Sequence, residues 1–306
     1  MFKLWSNSVL ASEIAEFLGK KLFGPDIAVY GPRNIDDLSD NCLICLSGGQ
    51  AGDWSLINER EEVLVLSSKA PKKTVRCSTI ITANPRIDFV HVIEQFFLQK
   101  IVPGIHPTAV IEKGAKIGEG AAVLANCHIS SEVEVGAHTV IQQNAVISGR
   151  VKIGKHCVIK ANSVIGSDVF NFVQGETEWE HFPQIGRIVI GDHVWIGAGT
   201  TVEKGAFSDT VIGEGVKIDD LVQIGHDAVI GDHSMIAAGS VLCGQVKIGK
   251  HCWVAPQASI LQKRTVGDKA VVGLGAVVIE NVKAGTVVVG NPAKVIKNTR
   301  KPVFPM

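Results

Sequence analysis

Among the ten histidines of this 306-residue chain, one stands in company that can do chemistry. His226 closes the stretch Asp219–Asp227 (DDLVQIGHD), with Asp227 directly behind it and Gln223, Asp220 and Asp219 upstream. Imidazole titrates near neutrality, so a histidine beside a carboxylate is the residue type for moving a proton at physiological pH. Taken alone, a histidine in such a turn is a solvated corner residue. Five others, His138, His156, His193, His233 and His251, each stand two residues after a glycine and read that way. His138 with His156, and His233 with His251, recur at the same interval, but neither pair comes with the third ligand or carboxylate a zinc site needs. No metal is expected.

Seven cysteines are an odd number scattered among apolar neighbours, which suits buried thiols better than a disulfide framework. Cys42-Leu43-Ile44-Cys45 has no second pair and sits in a strand-like run, so it reads as structure. Thirty Lys and Arg against thirty Asp and Glu leave no net charge, and with it no basic field for nucleic acid or an anionic membrane. No apolar run approaches the ~20 residues of a membrane span, and no signal-peptide core follows the first residues. The chain is expected to stay in the cytoplasm.

The elements that must position these groups are written in steps of six. An aliphatic residue recurs at every sixth position from Ile105 to Ile165. The series resumes at Ile190, Ile196 and Val202, slips by four residues, and runs from Ile212 to Val278. Around it one phrase repeats: Ile117–Ala121 (IGEGA), Ile153–Cys157 (IGKHC), Ile190–Val194 (IGDHV), Ile230–Ser234 (IGDHS). Six residues make one short strand and one turn, with the aliphatic and the small residue four later pointing inward. Three such hexads close one coil, and stacked coils bury one another's aliphatic layer. Positions three hexads apart then lie above one another, which sets Gly244 over His226. The five corner histidines hold the fourth position of their hexads, whereas His226 alone holds the third.

The first hundred residues lack this period. Ser8 is expected to cap a helix carrying Val9, Leu10, Ile14, Phe17 and Leu18 and ending at Gly19. Strand-like runs follow at 42–46, 63–66 and 79–82. Asn84-Pro85 then opens a second helix with Phe89, Val92, Ile93, Phe96 and Phe97 on one face. The expected organisation is a small α/β domain over 1–102, a parallel β-helix over 103–290 and a tail over 291–306. Regularity breaks at 167–187, which carries Phe170, Phe172, Trp179 and Phe182, and again near 207–210. Long interruptions of a compact repeat are usually functional or disordered, and this much apolar surface argues against simple disorder, leaving ligand contact or packing against a neighbouring subunit.

The hexads resemble those of the hexapeptide-repeat transferases, which implies a left-handed coil where the usual crossover rule favours the opposite hand. More closely, Phe182–Asp192 (FPQIGRIVIGD), Gly205–Gly213 (GAFSDTVIG), Asp219–Asp227, Leu10–Gly19 (LASEIAEFLG) and Thr82–Arg86 (TANPR) resemble the UDP-3-O-(3-hydroxyacyl)glucosamine N-acyltransferases of the lipid A pathway. The resemblance implies that His226 is a general base, that Asp219 and Gln223 face the sugar, and that the Gly244 N–H steadies a thioester oxyanion. It also implies a homotrimer. Asp227 and Asp209 are both candidates to orient the imidazole. An amine attacking a thioester must lose a proton, which suits such a base.

Three departures shape the expectation. The family's second histidine, two coils above the first, has no counterpart in Leu261–Thr265 (LQKRT). The helical extension linked with acyl carrier protein has no counterpart before Met306. Val272–Lys294 is similar instead to acetyltransferases that use acetyl-CoA on nucleotide-linked amino sugars, so Gly290, Lys294 and Lys297, with Arg300, become candidates for holding CoA. Where the family stacks uracil between aromatics, Ser47–Ser55 keeps only Trp54, which either holds a base or anchors the fold. The expectation is therefore an N-acyltransferase acting on a nucleotide-linked amino sugar with an acyl-CoA, acetyl-CoA favoured, for bacterial surface polysaccharide or lipopolysaccharide. The alternatives are the lipid A enzyme using 3-hydroxyacyl-acyl carrier protein, and a non-catalytic hexapeptide scaffold.

Overall fold

The computed structural model describes residues 8–47, 54, 55, 57, 60–71 and 75–298. The chain divides into two units at Lys100/Ile101, two residues before the expected joint.

In the first unit, strands Gly31–Pro32, Cys42–Leu46, Val63–Ser67 and Ser78–Ile81 run parallel, and Leu22–Phe23 closes one edge antiparallel. Side chains alternate across this sheet. Leu43, Leu64, Leu66 and Ile80 pack under the helices, while Cys42, Ile44, Val63 and Val65 form a second core on the opposite face. Cys42 and Cys45, three residues apart on one strand, therefore face opposite sides, and both are free thiols pushed up in pKa by burial.

The first helix begins later than expected. Val9–Leu10 pair as a strand with Ala28–Val29, so the helix spans Ala11–Phe17 with Leu10 at its cap and the Glu13 carboxylate accepting the Leu10 N–H at 2.9 Å. Ser8 does not cap it. Gly19, at φ +62°, terminates it as expected. The second helix, Pro85–Val92, opens at Asn84-Pro85 and continues into a π-helical turn over Ile93–Phe97. That wider turn places Val92 and Phe97 together in the core.

The second unit is a left-handed parallel β-helix of three faces. Face one holds 11 strands, face two 9 and face three 8. Strands pair at an offset of three hexads, as Ala122 with Val140 and Val241 with Ser259. Where chain is inserted the ladder still closes, pairing Val158 with Trp195 and Trp195 with Lys217. Inward aliphatics such as Ile129, Ile159, Ile196 and Ile224 are fully buried, as are the small residues four later, among them Cys127, Cys157, Ala228 and Cys252. Burying each such aliphatic contributes about 1.5–3 kcal/mol, repeated coil after coil.

Each corner needs one residue at positive φ, which Asn, Asp and His tolerate better than other side chains. Asn126, Asn144 and Asn162 fill it between faces one and two, and His138, His156, His193, His233 and His251 between faces three and one. These histidines are thus chosen by backbone geometry. His193 joins the column, stacking on His156 at 5.1 Å, because the insertion of 167–187 changes its sequence distance but not its coil position. Residues Lys294–Asn298 return antiparallel along Thr286–Val289, so the expected tail is, through Asn298, part of the last coil. Among the described residues no helix is long and apolar enough to cross a membrane.

Ile159, fully buried and coils away from His226, tests the stacking. Ile159→Ala is expected to cost about 2–5 kcal/mol, read as a lower denaturant midpoint with the β-sheet circular dichroism signal retained.

Candidate functional site

The strand Gln223–Ile224 on face two ends in the turn Gly225-His226-Asp227-Ala228, which leads to face three. Here the positive-φ residue is Asp227, at +54°. Its N–H donates to Thr210 Oγ1 at 2.9 Å, and its carboxylate folds back to His226, with Oδ2 2.7 Å from Nδ1. The other oxygen, Oδ1, accepts the N–H groups of Ala206 at 3.1 Å and Ser208 at 3.3 Å from the loop one coil below. A carboxylate so placed requires the proton on Nδ1, which leaves the lone pair on Nε2. That is the tautomer of a general base.

Asp209, the other candidate orienter, is taken elsewhere. Arg187 donates to both its oxygens, at 3.0 and 2.8 Å, and holds the Asp209 carboxyl below the usual range.

Gly244 lies directly against the imidazole. A Cβ built there would fall 2.3 Å from His226 Nε2, so only glycine lets the ring occupy this space. Its N–H has no acceptor among the described residues. At the same hexad position in some other coils a carboxylate takes the N–H: Asp192 from Lys155 at 2.7 Å, Asp268 from Lys250 at 2.8 Å, Asp232 from Glu214 at 3.1 Å. Gly225 keeps that donor uncovered, since a Cβ there would sit 2.6 Å from the Gly244 nitrogen. A lone pair and an unclaimed N–H thus meet at one edge, which is what acyl transfer to an amine requires.

Gln223 belongs to this cluster through a residue the sequence did not flag. Its Nε2 donates to Glu203 Oε1 at 3.0 Å, its Oε1 accepts from Thr201 Oγ1, and Glu203 Oε2 accepts the His226 N–H at 3.0 Å. Burial pushes the Glu203 carboxyl above the ordinary range, outweighing the pull of its hydrogen bonds and of His226. Glu203 lies farther back from His226 than three hexads, so the slip in the repeat hides it from the stacking rule.

Asp219 is at a different edge, between faces one and two. It accepts the Asp220 N–H at 2.9 Å and lines a cavity of about 270 Å³ with Trp195, Lys217, Met235 and Trp253. Gly290, at φ +93°, ends the strand Thr286–Val289, and Lys294 and Lys297 are exposed on the returning strand. Gly290 O accepts the Val277 N–H, three coils above Gln223, or about 14 Å along the axis at 4.7–4.9 Å per strand. The lysines are therefore not part of the His226 cluster, and Arg300 lies outside the described residues. Trp54, a candidate base-stacking ring, is 7% exposed and packs with Ile44, Leu46 and Ile57, the position of a core anchor. Its preceding residues 48–53 lie outside the described residues.

The aromatic interruption leaves the coil at the same edge as His226. It forms a hairpin of Phe172–Gln174 and Trp179–His181, with Phe170, Phe172 and Trp179 exposed. Phe182 meets Phe207 edge to face at 5.7 Å, bracing the loop that supplies the Ala206 and Ser208 N–H groups.

The chain is 34% identical over 288 residues to a UDP-3-O-acylglucosamine N-acyltransferase of Delftia acidovorans, covering 92% of this chain and 86% of that protein. It belongs to the UDP-3-O-acylglucosamine N-acyltransferase family. A second member, from Coxiella burnetii, is 38% identical over 231 residues, 66% of this chain and 68% of its own. The family description "Bacterial transferase hexapeptide (six repeats)" matches residues 114–149, 132–167 and 209–244. Among solved structures, the UDP-N-acetylglucosamine O-acyltransferase of Moraxella catarrhalis aligns with a TM-score of 0.59 and 29% identity over 64% of this chain and 75% of that one. The UDP-N-acetylglucosamine acyltransferase of Campylobacter jejuni gives 0.57 and 26% over 64% and 75%. As a member of the N-acyltransferase family the chain is an enzyme of acyl transfer, and the scaffold alternative falls away.

Two substitutions probe the dyad. In Asp227→Asn the amide NH2 faces Nδ1 once Oδ1 keeps its two loop donors, which moves the ring proton to Nε2. Turnover is expected to fall at least about 10²-fold with the melting temperature nearly unchanged. Gly244→Ala asks nothing unusual of the backbone but displaces the imidazole, so steady-state kinetics should show activity lost in a folded protein.

Proposed function

We propose that this enzyme transfers a 3-hydroxyacyl group from acyl carrier protein to the amine of UDP-3-O-acylglucosamine, the N-acylation step of the lipid A pathway. What supports the reading is the pairing of His226, held in the base tautomer by Asp227, with the unclaimed Gly244 N–H, in a chain similar over most of its length to enzymes of that name. The sugar amine attacks the thioester carbonyl and a C–N bond forms. His226 Nε2 takes the proton the nitrogen sheds, and the Gly244 N–H donates to the oxyanion. The C–S bond then breaks, and the imidazolium returns the proton to the leaving thiolate.

Gln223, fixed by Thr201 and Glu203, is positioned to bind the sugar beside the base. Asp219, at another edge of the same prism, reaches a sugar at His226 only across a subunit boundary, which favours a homotrimer in which one protomer's Asp219 edge faces its neighbour's His226 edge. Residues 1–102 are assigned the nucleotide half of the substrate, with Trp54 as an anchor of that domain. A CoA donor is the second reading. It is favoured by Lys294 and Lys297, exposed beside Gly290 and outside any ion pair among the described residues.

Product mass spectrometry with UDP-3-O-acylglucosamine and either 3-hydroxyacyl-acyl carrier protein, 3-hydroxyacyl-CoA or acetyl-CoA separates these readings. The carrier-protein arm is expected to yield the N-acylated product, and turnover with acetyl-CoA alone would replace this proposal by the second. His226→Ala should lower kcat by about 10²–10⁴-fold in the productive arm.

A further inference from the structure

We propose that Glu203 is a positioning residue of this enzyme, tying the backbone of the general base to the side chain that binds the sugar. This rests on the acyl-transfer reading above for its kinetic consequence, though not for its geometry. At turns between faces three and one the N–H is capped by an aspartate of the turn above, as Asp192 caps Lys155 and Asp268 caps Lys250, whereas between faces two and three Glu112 caps Ser131 from one coil below. At the catalytic turn the cap comes from the end of the strand Thr201–Glu203, one coil below. The slip in the repeat preserves a contact that a regular coil also makes, where Glu112 Oε2 accepts the Ser131 N–H at 2.9 Å. It sends residues 204–208 outward as a loop and leaves Glu203 under the turn, with one oxygen on the His226 N–H and the other on the Gln223 amide.

The two donors fix the ionisation that works. Each Glu203 oxygen accepts an N–H, so the group must be a carboxylate, and a proton on either oxygen would set O–H against N–H. The charged and titratable neighbours are few. The His226 imidazole faces Glu203 from the turn above, and Asp227 is committed to that imidazole and the loop amides. Lys204, next along the chain, is paired with Asp168. Burial dominates and raises the Glu203 pKa. In acid, then, Glu203 becomes protonated above the pH at which an exposed glutamate would, and the sugar-binding amide and the base lose their common tether.

Glu203→Gln keeps the size but turns an NH2 toward one of the two donors. Its kcat/KM for the amino-sugar nucleotide should fall about 10- to 100-fold, the value of one charge-assisted hydrogen bond. KM for the thioester donor should be unchanged. On the acid limb, log kcat/KM of the native enzyme should steepen beyond a slope of 1 over the range where Glu203 protonates, against a limb of slope 1 in Glu203→Gln. Glu203→Asp, which keeps the charge but not the reach, should recover part of the loss. Equal losses in both substrates' KM with a lowered melting temperature, or an acid limb of slope 1 in both proteins, would overturn the proposal. A substrate-free arm separates this outcome from failure of the acyl-transfer reading. In 15N-labelled full-length protein the His226 amide resonance should titrate with Glu203, above the ordinary glutamate range, and stay flat there in Glu203→Gln. A flat native resonance refutes the tether, while a titrating one in a protein that turns over no amino-sugar nucleotide refutes the acyl-transfer reading alone.

Discussion

Everything in the larger unit depends on one packing constraint: each coil must lay its aliphatic layer on the next at a fixed offset. The ladder pairs Ala122 with Val140 and Val241 with Ser259 for that reason, and it pairs Trp195 with Lys217 after an insertion for the same reason. Extra residues cannot enter the buried column, so they are expelled at the corners. The constraint also forces the backbone at each corner through positive φ. At most corners an Asn, His or Gly meets that demand with no further consequence. At one it is met by Asp227, whose backbone conformation brings its carboxylate back onto His226. The proposed catalytic dyad is a corner of the repeat with a different pair of side chains.

The same constraint decides how much is legible in the amino-acid order. Periodicity reports only inward-facing positions, and there it is sufficient: coil boundaries, buried aliphatics, small inward residues such as Cys157 and Ala228, and the stacking of Gly244 on His226 all follow from it. Contacts between outward side chains depend on which coil they stand in, and insertions scramble that. Glu203 escapes because its distance to His226 is not a whole coil of hexads, and His193 escapes the histidine column for a similar reason. The choice between Asp209 and Asp227 turns on Arg187, a partner that no local spacing announces. In the first unit, Ser8 has no capping role because Val9 and Leu10 are needed in a strand. Trp54 lies in the core because a strand's neighbour must cover the far side of a sheet, a tertiary demand invisible to composition.

Polar economy at the proposed catalytic edge brings an unclaimed donor and an imidazole lone pair together. At several other turns the N–H is taken by a carboxylate of an adjacent turn, as Asp192 takes that of Lys155 and Glu112 that of Ser131. At Gly244 the donor is left over beside the imidazole, and at His226 the acceptor is Glu203, at the end of the strand Thr201–Glu203 one coil below. A repeat that satisfied every corner would be more regular and would have nothing to offer a developing negative charge.

All the groups proposed to handle the proton and the oxyanion come from residues 201 to 244, little more than two coil heights. The block is a self-contained cassette. Whole coils inserted above Val254 would lengthen the prism in increments of one strand spacing and leave these groups untouched, so the distance from the reacting carbon to whatever grips the far end of a long donor is a separately adjustable dimension of the molecule.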